Sequence, residues 1–107
     1  LQVPEGIGEV ACVIYNSLAK CYAETIREIE TITGQLYDKI HIVGGGSNAD
    51  YLNRLTARET GIPVYAGPAE ATAIGNLIVQ MISRGDLSDL KEARDCVRRS
   101  FDIVTYV

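Results

Sequence analysis

The feature that most constrains this chain is a run of three glycines, Gly44, Gly45 and Gly46, directly after the β-favouring residues 40–43. Two helix-capping residue types, Ser47 and Asn48, come next, and a segment with helical spacing begins near residue 49. This order predicts a strand, a tight turn and a helix. Glycines let backbone N–H groups approach a ligand, and a helix starting just beyond directs its unpaired N–H groups at the same place. The sequence therefore predicts a phosphate or nucleotide site at residues 44–48.

The composition is that of an ordered globular protein of one domain at most, with 107 residues of which 47% are hydrophobic. The net charge of −4 has no basic run, so we expect no nucleic-acid partner. No apolar run approaches the roughly 20 residues of a membrane span, and residues 1–5 lack the basic start of a signal peptide. We therefore expect no membrane partner and a cytoplasmic location. The three cysteines, Cys12, Cys21 and Cys96, fit neither a disulfide framework nor a paired metal site, and we expect buried or half-buried thiols.

The hydrophobic periodicity predicts helices at residues 9–33, 49–60, 69–84 and 88–99, and strands at residues 40–43 and 62–66. Strand, helix and strand at this length predict a right-handed parallel unit. The helix at 69–84 is apolar nearly all round, so we expect it to be buried between two layers. On the helix at 49–60 we expect Asn53 to face outward. On the first helix, the inward stripe is predicted to be Ile14, Leu18, Cys21, Thr25, Ile29 and Ile32.

Two parallel strands leave both edges of the sheet bare, and parallel sheets are normally larger and covered on both faces. Residues 101–107 are apolar and β-prone, but no turn pairs them with anything before them. We therefore expect an α/β chain that is part of a domain. Either further strands come from elsewhere in a longer protein, or two copies complete each other by self-association.

Two other interpretations of the glycine run remain open. Gly44, Gly46 and Ala49 satisfy the dinucleotide fingerprint G-x-G-x-x-A, but no acid ends the second strand, where a ribose would be bound. The nearest acid, Glu70, lies inside the next helix. The helix dipole favours an acid in the first turn of any helix, so this position does not indicate a catalytic role. The run can also be a purely structural turn. His41, the single histidine, lies in the middle of a strand, and no cysteine or acid stands at metal-ligand spacing from it, which indicates a hydrogen-bonded strand histidine. The sequence also contains no nucleophile with a general base beside it.

Residues 42–46 and 66–76 together resemble the C-terminal part of the FGGY family of carbohydrate kinases, and the similarity covers nearly the whole chain. Its most specific pieces are the glycine run with Leu52-Asn53-Arg54-Leu55 downstream and the segment Gly-Pro-Ala-Glu-Ala-Thr-Ala-Ile-Gly-Asn at 67–76. The chain differs from the commoner family pattern at residues 47–50, which replace a Gln and Asn pair after the glycines. The resemblance therefore implies backbone contacts to adenosine, and it leaves the side-chain contacts to adenine open.

The resemblance implies the actin-like ATPase (ribonuclease H-like) fold, in which two α/β domains close over ATP and sugar. Residues 1–107 would be a C-terminal fragment of the second, nucleotide-binding domain: an incomplete half-domain of short parallel strands flanked by helices. Gly44, Gly45 and Gly46 would form its adenosine motif, with Ser47 and Asn48 nearby on the phosphate and adenine side. The helix from Glu70 would be the connecting helix at the interdomain hinge.

The implied reaction is transfer of the ATP γ-phosphate to a sugar hydroxyl, with L-rhamnulose as the first-choice sugar. The phosphate loop, the sugar site, the catalytic aspartate and the Mg²⁺ ligands of such kinases lie in parts that this sequence does not contain. No catalytic or metal-binding residue is therefore assigned, and we expect the chain alone to be inactive. The alternatives are an isolated α/β binding or oligomerisation module and a fragment of a dinucleotide-binding oxidoreductase.

Overall fold

The computed structural model describes residues 3–107 and contains helices at all four predicted places. Three of these helices end at glycines in the left-handed conformation, Gly34, Gly61 and Gly85. The elements are α1 (Ile7–Thr33), β1 (Ile40–Ile42), a 3₁₀ turn (Gly45–Asn48), α2 (Asp50–Thr60), β2 (Val64–Ala66), α3 (Ala71–Arg84), α4 (Leu90–Ser100) and β3 (Val104–Tyr106).

The sheet has three strands in the order β1-β2-β3. β1 and β2 pair in parallel with Ile40 opposite Val64, as predicted for a strand-helix-strand unit. β3 pairs with β2 in the antiparallel direction, with Tyr106 opposite Val64. The expectation of purely parallel strands, and of an unpaired segment at 101–107, was therefore wrong. Two helices separate β2 from β3, so this pairing has no local turn to signal it.

α2 packs on one face of the sheet and α1 packs on α2, and the core lies there. Ala19 and Ala23 of α1 are 0% and 5% exposed, and Leu55 and Val64 are buried opposite them. The predicted inward stripe of α1 was wrong, because its larger members such as Ile14 are exposed. Small side chains four residues apart let the α2 backbone approach closely, whereas the bulky stripe would hold it away.

The opposite face of the sheet is loosely packed. None of the residues of α3 is buried, and Leu77 and Val79 are exposed, so the expectation of a doubly covered α3 is wrong for the part of the chain described. A cavity of about 690 Å³ separates the sheet from α3 and α4. The radius of gyration is 17.1 Å, compared with about 13 Å for a compact domain of this length.

The cysteines differ from expectation in two of three cases. Cys12 and Cys21 are exposed, and only Cys96 is half-buried. Both exposed thiols belong to α1, where the buried line passes through Ala19 and Ala23 instead. Across residues 3–107, every helix is too short or too polar to cross a membrane.

Candidate functional site

Two turns lie side by side where the parallel strands end. The N–H of Gly44, just after β1, donates to the carbonyl of Pro68 at 3.1 Å. The N–H of Gly67, just after β2, donates to the carbonyl of Ile42 at 2.8 Å. The carboxyl edge of parallel strands is where open α/β sheets bind their ligands. We call residues 44–48 the first turn and residues 67–70 the second turn.

The first turn presents its backbone to solvent. Gly44 has a φ of 79°, which a glycine adopts without strain. A Cβ at Gly45 would meet nothing within 4 Å, and one at Gly46 would lie 3.9 Å from a methyl carbon of Ile42. Between residues 3 and 107, no acceptor pairs with the N–H groups of Gly45 and Gly46. These two donors are free to bind a ligand.

The remaining two predicted site residues have different surroundings. Ser47 is 8% exposed, and both its N–H and its hydroxyl donate to the Gly44 carbonyl, at 3.0 and 2.7 Å. The Ser47 side chain therefore holds the turn together. Asn48 is exposed at the end of the turn. The structure thus brings all five predicted residues into one turn, with the glycines and Asn48 accessible from outside.

Asn53 is a site residue that the sequence analysis placed wrongly. It was predicted to face outward, but it is 1% exposed, and its Nδ2 donates to the Ser47 carbonyl at 3.1 Å. Its Oδ1 is buried and has no partner among the residues that the structure describes. The hydrogen bond from the Asn53 amide to the turn compensates for the cost of removing this polar side chain from solvent. The available signal was its spacing of three residues to Thr56, which is 1% exposed and lies on the same face of α2.

The start of α2 carries a negative charge. Asp50 stands in the first helical turn, where one carboxylate oxygen accepts from Arg54 at 3.1 Å and the other from the Tyr106 hydroxyl at 2.8 Å. The carboxylate complements the positive end of the helix. A phosphate bound at this helix terminus would therefore meet a like charge. This argues against the expected phosphate contact from α2 and leaves the glycine N–H groups as the donors of the site.

The second turn is closed by the chain itself. Gly67 is buried with a φ of 122°, and a Cβ there would lie 2.7 Å from the carbonyl oxygen of Asp102. Glu70 is exposed at the start of α3 and its side chain caps no N–H group. No acid stands at the end of β2, where a dinucleotide site would bind the ribose.

The loosely packed face of the sheet, next to α3 and α4, carries the single histidine. His41 stacks on Tyr65 with ring centroids 5.5 Å apart, so its neighbour is an aromatic ring rather than a hydrogen-bond partner or a ligand set. A second cavity, of about 440 Å³, is lined by both rings together with Lys39 and Arg98. Across residues 3–107, no three histidine, cysteine or acidic side chains are grouped closely enough to hold a metal ion.

Residues 1–84 match the C-terminal domain of the FGGY family of carbohydrate kinases. The rhamnulokinase of Bacillus subtilis is 51% identical over 105 residues, which are 98% of this chain and 22% of that protein. The rhamnulokinase of Enterococcus faecalis is 45% identical over 97% of this chain and 22% of its own length, and that of Bacteroides thetaiotaomicron is 39% identical over 97% and 21%. The chain thus spans about a fifth of the length of the curated relatives it matches. The chain belongs to the FGGY family of carbohydrate kinases and carries that family's C-terminal domain.

Proposed function

We propose that this chain is the C-terminal, ATP-binding portion of a longer ATP-dependent sugar kinase of the actin-like ATPase fold. The observation that carries the proposal is the first turn, which lies at the carboxyl edge of the sheet with two accessible glycine N–H donors. The relatives named above are all rhamnulokinases, which supports L-rhamnulose as the sugar. The longer protein is called the full-length kinase below.

The first turn fits the adenosine end of ATP. The N–H groups of Gly45 and Gly46 and the exposed Asn48 side chain supply hydrogen-bond partners, while Ser47 and Asn53 fix the turn's shape. Adenine and ribose are uncharged, so the carboxylate of Asp50 at the start of α2 does not repel them as it would repel the phosphates. The γ-phosphate of ATP is the group that is transferred, with Mg²⁺ in the family's reaction. The phosphates, Mg²⁺ and the sugar are therefore assigned to other parts of the full-length kinase.

Phosphoryl transfer depends mainly on positioning and on charge stabilisation around the transferred group. In this proposal the chain contributes the positioning of the nucleoside and no catalytic base. α3 has an accessible apolar surface, including Leu77 and Val79, and its Gly75 has nothing within 4 Å of a hypothetical Cβ. An uncovered helix directly after the second turn supports its proposed place at the interdomain hinge.

The proposal is tested by titrating ATP with Mg²⁺ into this chain and into the full-length kinase. We expect weak binding by the chain alone, tight binding by the full-length kinase, and phosphorylation of L-rhamnulose only by the latter. L-Fuculose is the comparison sugar, since a preference for it would replace the substrate assignment. Equal absence of ATP binding in both proteins would favour a structural α/β module, and preferential binding of NAD would favour the dinucleotide interpretation.

A second candidate, an oligomerisation module, has one observation in its favour. α1 exposes large apolar side chains that nothing among residues 3–107 covers, including Ile7 at 90% and Ile32 at 84%. An exposed apolar stripe on a long helix favours association. Sedimentation velocity on this chain and on the full-length kinase distinguishes the two: we expect self-association of the chain alone, whereas association of both would support the oligomerisation module.

A further inference from the structure

The segment from Asp102 to Tyr106 contacts the second turn and the start of α2, which directly follows the first turn. At its beginning, the Asp102 carbonyl closes over Gly67 in the second turn. At its end, the Tyr106 hydroxyl reaches Asp50, two residues beyond the first turn. The match to the family domain stops at residue 84, so this segment lies outside it. An element outside the matched domain thus contacts the second turn and the helix that begins beside the first turn.

Two hydrogen-bonded contacts, one at each end of the first turn of α2, connect Tyr106 to the glycine run. Tyr106 binds Asp50 at 2.8 Å, in the first turn of α2. One helical turn further on, Asn53 is buried and donates to the Ser47 carbonyl at 3.1 Å. Ser47 in turn binds the Gly44 carbonyl through its N–H and its hydroxyl. Movement of the start of α2 would therefore be transmitted to the first turn through Asn53.

The pKa of Tyr106 depends on the same two residues of α2. The hydrogen bond to Asp50 raises the pKa of Tyr106, and the Asn53 side chain acts on it in the opposite direction. Asp50 and Asn53 are three residues apart on α2 and therefore lie on the same face of that helix. The hydroxyl joins β3 to the same helix face that braces the turn.

The partners of Asp50 show how Tyr106 can fix the position of α2 relative to the sheet. Arg54 occupies one carboxylate oxygen and Tyr106 the other, so the carboxylate has partners on both sides. Arg54 lies on α2 itself and cannot fix the helix relative to the sheet. Tyr106 belongs to β3, which is paired with β2, and therefore ties α2 to the sheet edge.

We propose that Tyr106 is a positioning residue for the nucleotide, which holds the start of α2, and through Asn53 the first turn, in the arrangement that receives ATP. This inference rests on the proposed function of the first turn. It adds a residue outside the matched family domain to the ATP site, and the residue acts through Asp50 rather than by touching the nucleotide.

The test uses the full-length kinase with Tyr106→Phe, which removes the hydroxyl and keeps the ring. Tyr37→Phe is the matched control, because the Tyr37 hydroxyl lies 3.3 Å from Thr33 at the far end of α1. Loss of one hydrogen bond predicts a Kd for ATP about three- to tenfold higher for Tyr106→Phe. The KM for the sugar, and the affinity of Tyr37→Phe for ATP, are expected to stay unchanged. Unchanged ATP affinity in Tyr106→Phe would overturn the proposal.

Amide hydrogen exchange on the nucleotide-free kinase separates this inference from the proposed function. We expect faster exchange at residues 45–48 in Tyr106→Phe than in Tyr37→Phe. Equal exchange in the two variants would show that Tyr106 does not hold the turn, even if the unsubstituted kinase binds ATP. Absence of ATP binding by the unsubstituted kinase would overturn the proposed function and the nucleotide role of Tyr106 together.

A double-variant cycle identifies the partner of Tyr106. Asp50→Ala and Tyr106→Phe should each weaken ATP binding, and the double variant should weaken it by less than the product of the two factors. Arg54→Gln, which removes only the other partner of Asp50, should leave exchange at residues 45–48 unchanged. Fully multiplicative effects would contradict the path through Asp50.

Discussion

The two turns at the carboxyl edge both follow a short parallel strand and both contain a glycine with a positive φ, yet their surroundings differ. In the first turn, side chains added at Gly45 and Gly46 would enter open space or ordinary contact distance. In the second turn, a Cβ at Gly67 would collide with the Asp102 backbone. The first turn is open to a ligand, whereas the second is filled by the protein's own chain.

A glycine that follows a strand can therefore serve two different physical purposes. It can leave room for a ligand to approach the backbone, or it can leave room for another segment of the same chain. The two purposes look alike in sequence, and they separate in their responses to an added methyl group. The following predictions are ordered by the expected change in the free energy of unfolding, from largest to smallest.

Gly67→Ala should destabilise the protein most. The added Cβ would lie 2.7 Å from the Asp102 oxygen, and the φ of 122° is strained for alanine. We expect a loss of about 2–4 kcal/mol in unfolding free energy, from strain and overpacking together. Urea denaturation measures it, with Gly75→Ala as control, because a Cβ at Gly75 has nothing within 4 Å. Equal stability of the two variants would mean that the second turn is open as well.

Asn53→Leu tests whether the first turn is braced from inside. Leucine approximates the volume but cannot donate to the Ser47 carbonyl, so we expect a loss of about 1–3 kcal/mol and weaker ATP binding. Thr56→Val is the control: Thr56 is equally buried, and its hydroxyl donates only to the Leu52 carbonyl of its own helix. Thermal denaturation in parallel with ATP titration measures both effects. Identical behaviour of the two variants would remove Asn53 from the site.

Gly45→Ala should barely change stability but should weaken ATP binding. The Cβ meets no atom within 4 Å and Gly45 has no positive φ, so we expect less than about 0.5 kcal/mol of change in unfolding free energy. A methyl group beside the two free N–H donors would keep the nucleotide away, with about a tenfold higher Kd for ATP, or about 1.4 kcal/mol. Calorimetric titration of the full-length kinase measures this. Unchanged affinity would assign the first turn a purely structural role.

The smallest effect concerns α4, the helix that leads to Asp102. The Ser88 hydroxyl and the Ser88 N–H, the latter at 2.8 Å, both donate to Glu92, and these bonds lower the pKa of Glu92 from its ordinary value. A lowered folded-state pKa stabilises the protein above the unfolded value, and this contribution is lost as the pH falls through the folded value. Below pH 4.5 the melting temperature should therefore fall less steeply in Glu92→Gln than in the control Glu28→Gln. Parallel curves for the two variants would contradict this.

The helices and the first turn were predictable because their signals are local. Apolar periodicity gave the helices, and Gly34, Gly61 and Gly85 marked where three of them end. Burial was less predictable. α1 turned Ala19 and Ala23 inward because close approach of α2 outweighs the burial of larger side chains within this chain.

The contacts that join distant residues could not be predicted. β3 reaches β2 only after two helices, and the antiparallel register that brings Tyr106 to Asp50 has no local signature. Asn53 was misplaced for a related reason, since its burial depends on the Ser47 carbonyl rather than on its own polarity. The turn at residues 44–48 was predictable and its role as a nucleotide site stays a prediction, whereas its supporting residues appeared only in the structure.

The antiparallel pairing of β3 with β2 has a consequence for biosynthesis. Chains emerge from the ribosome N-terminus first, so β1, the first turn, α2 and β2 are all made before residues 102–106. Until that segment emerges, one edge of β2 has no strand beside it and Gly67 is not covered by Asp102. The nascent chain therefore passes through a stage in which β2 is an edge strand, at which another chain can pair in place of β3. Translation arrested after β2 has left the ribosome, but before residues 102–106 have left it, would display that intermediate.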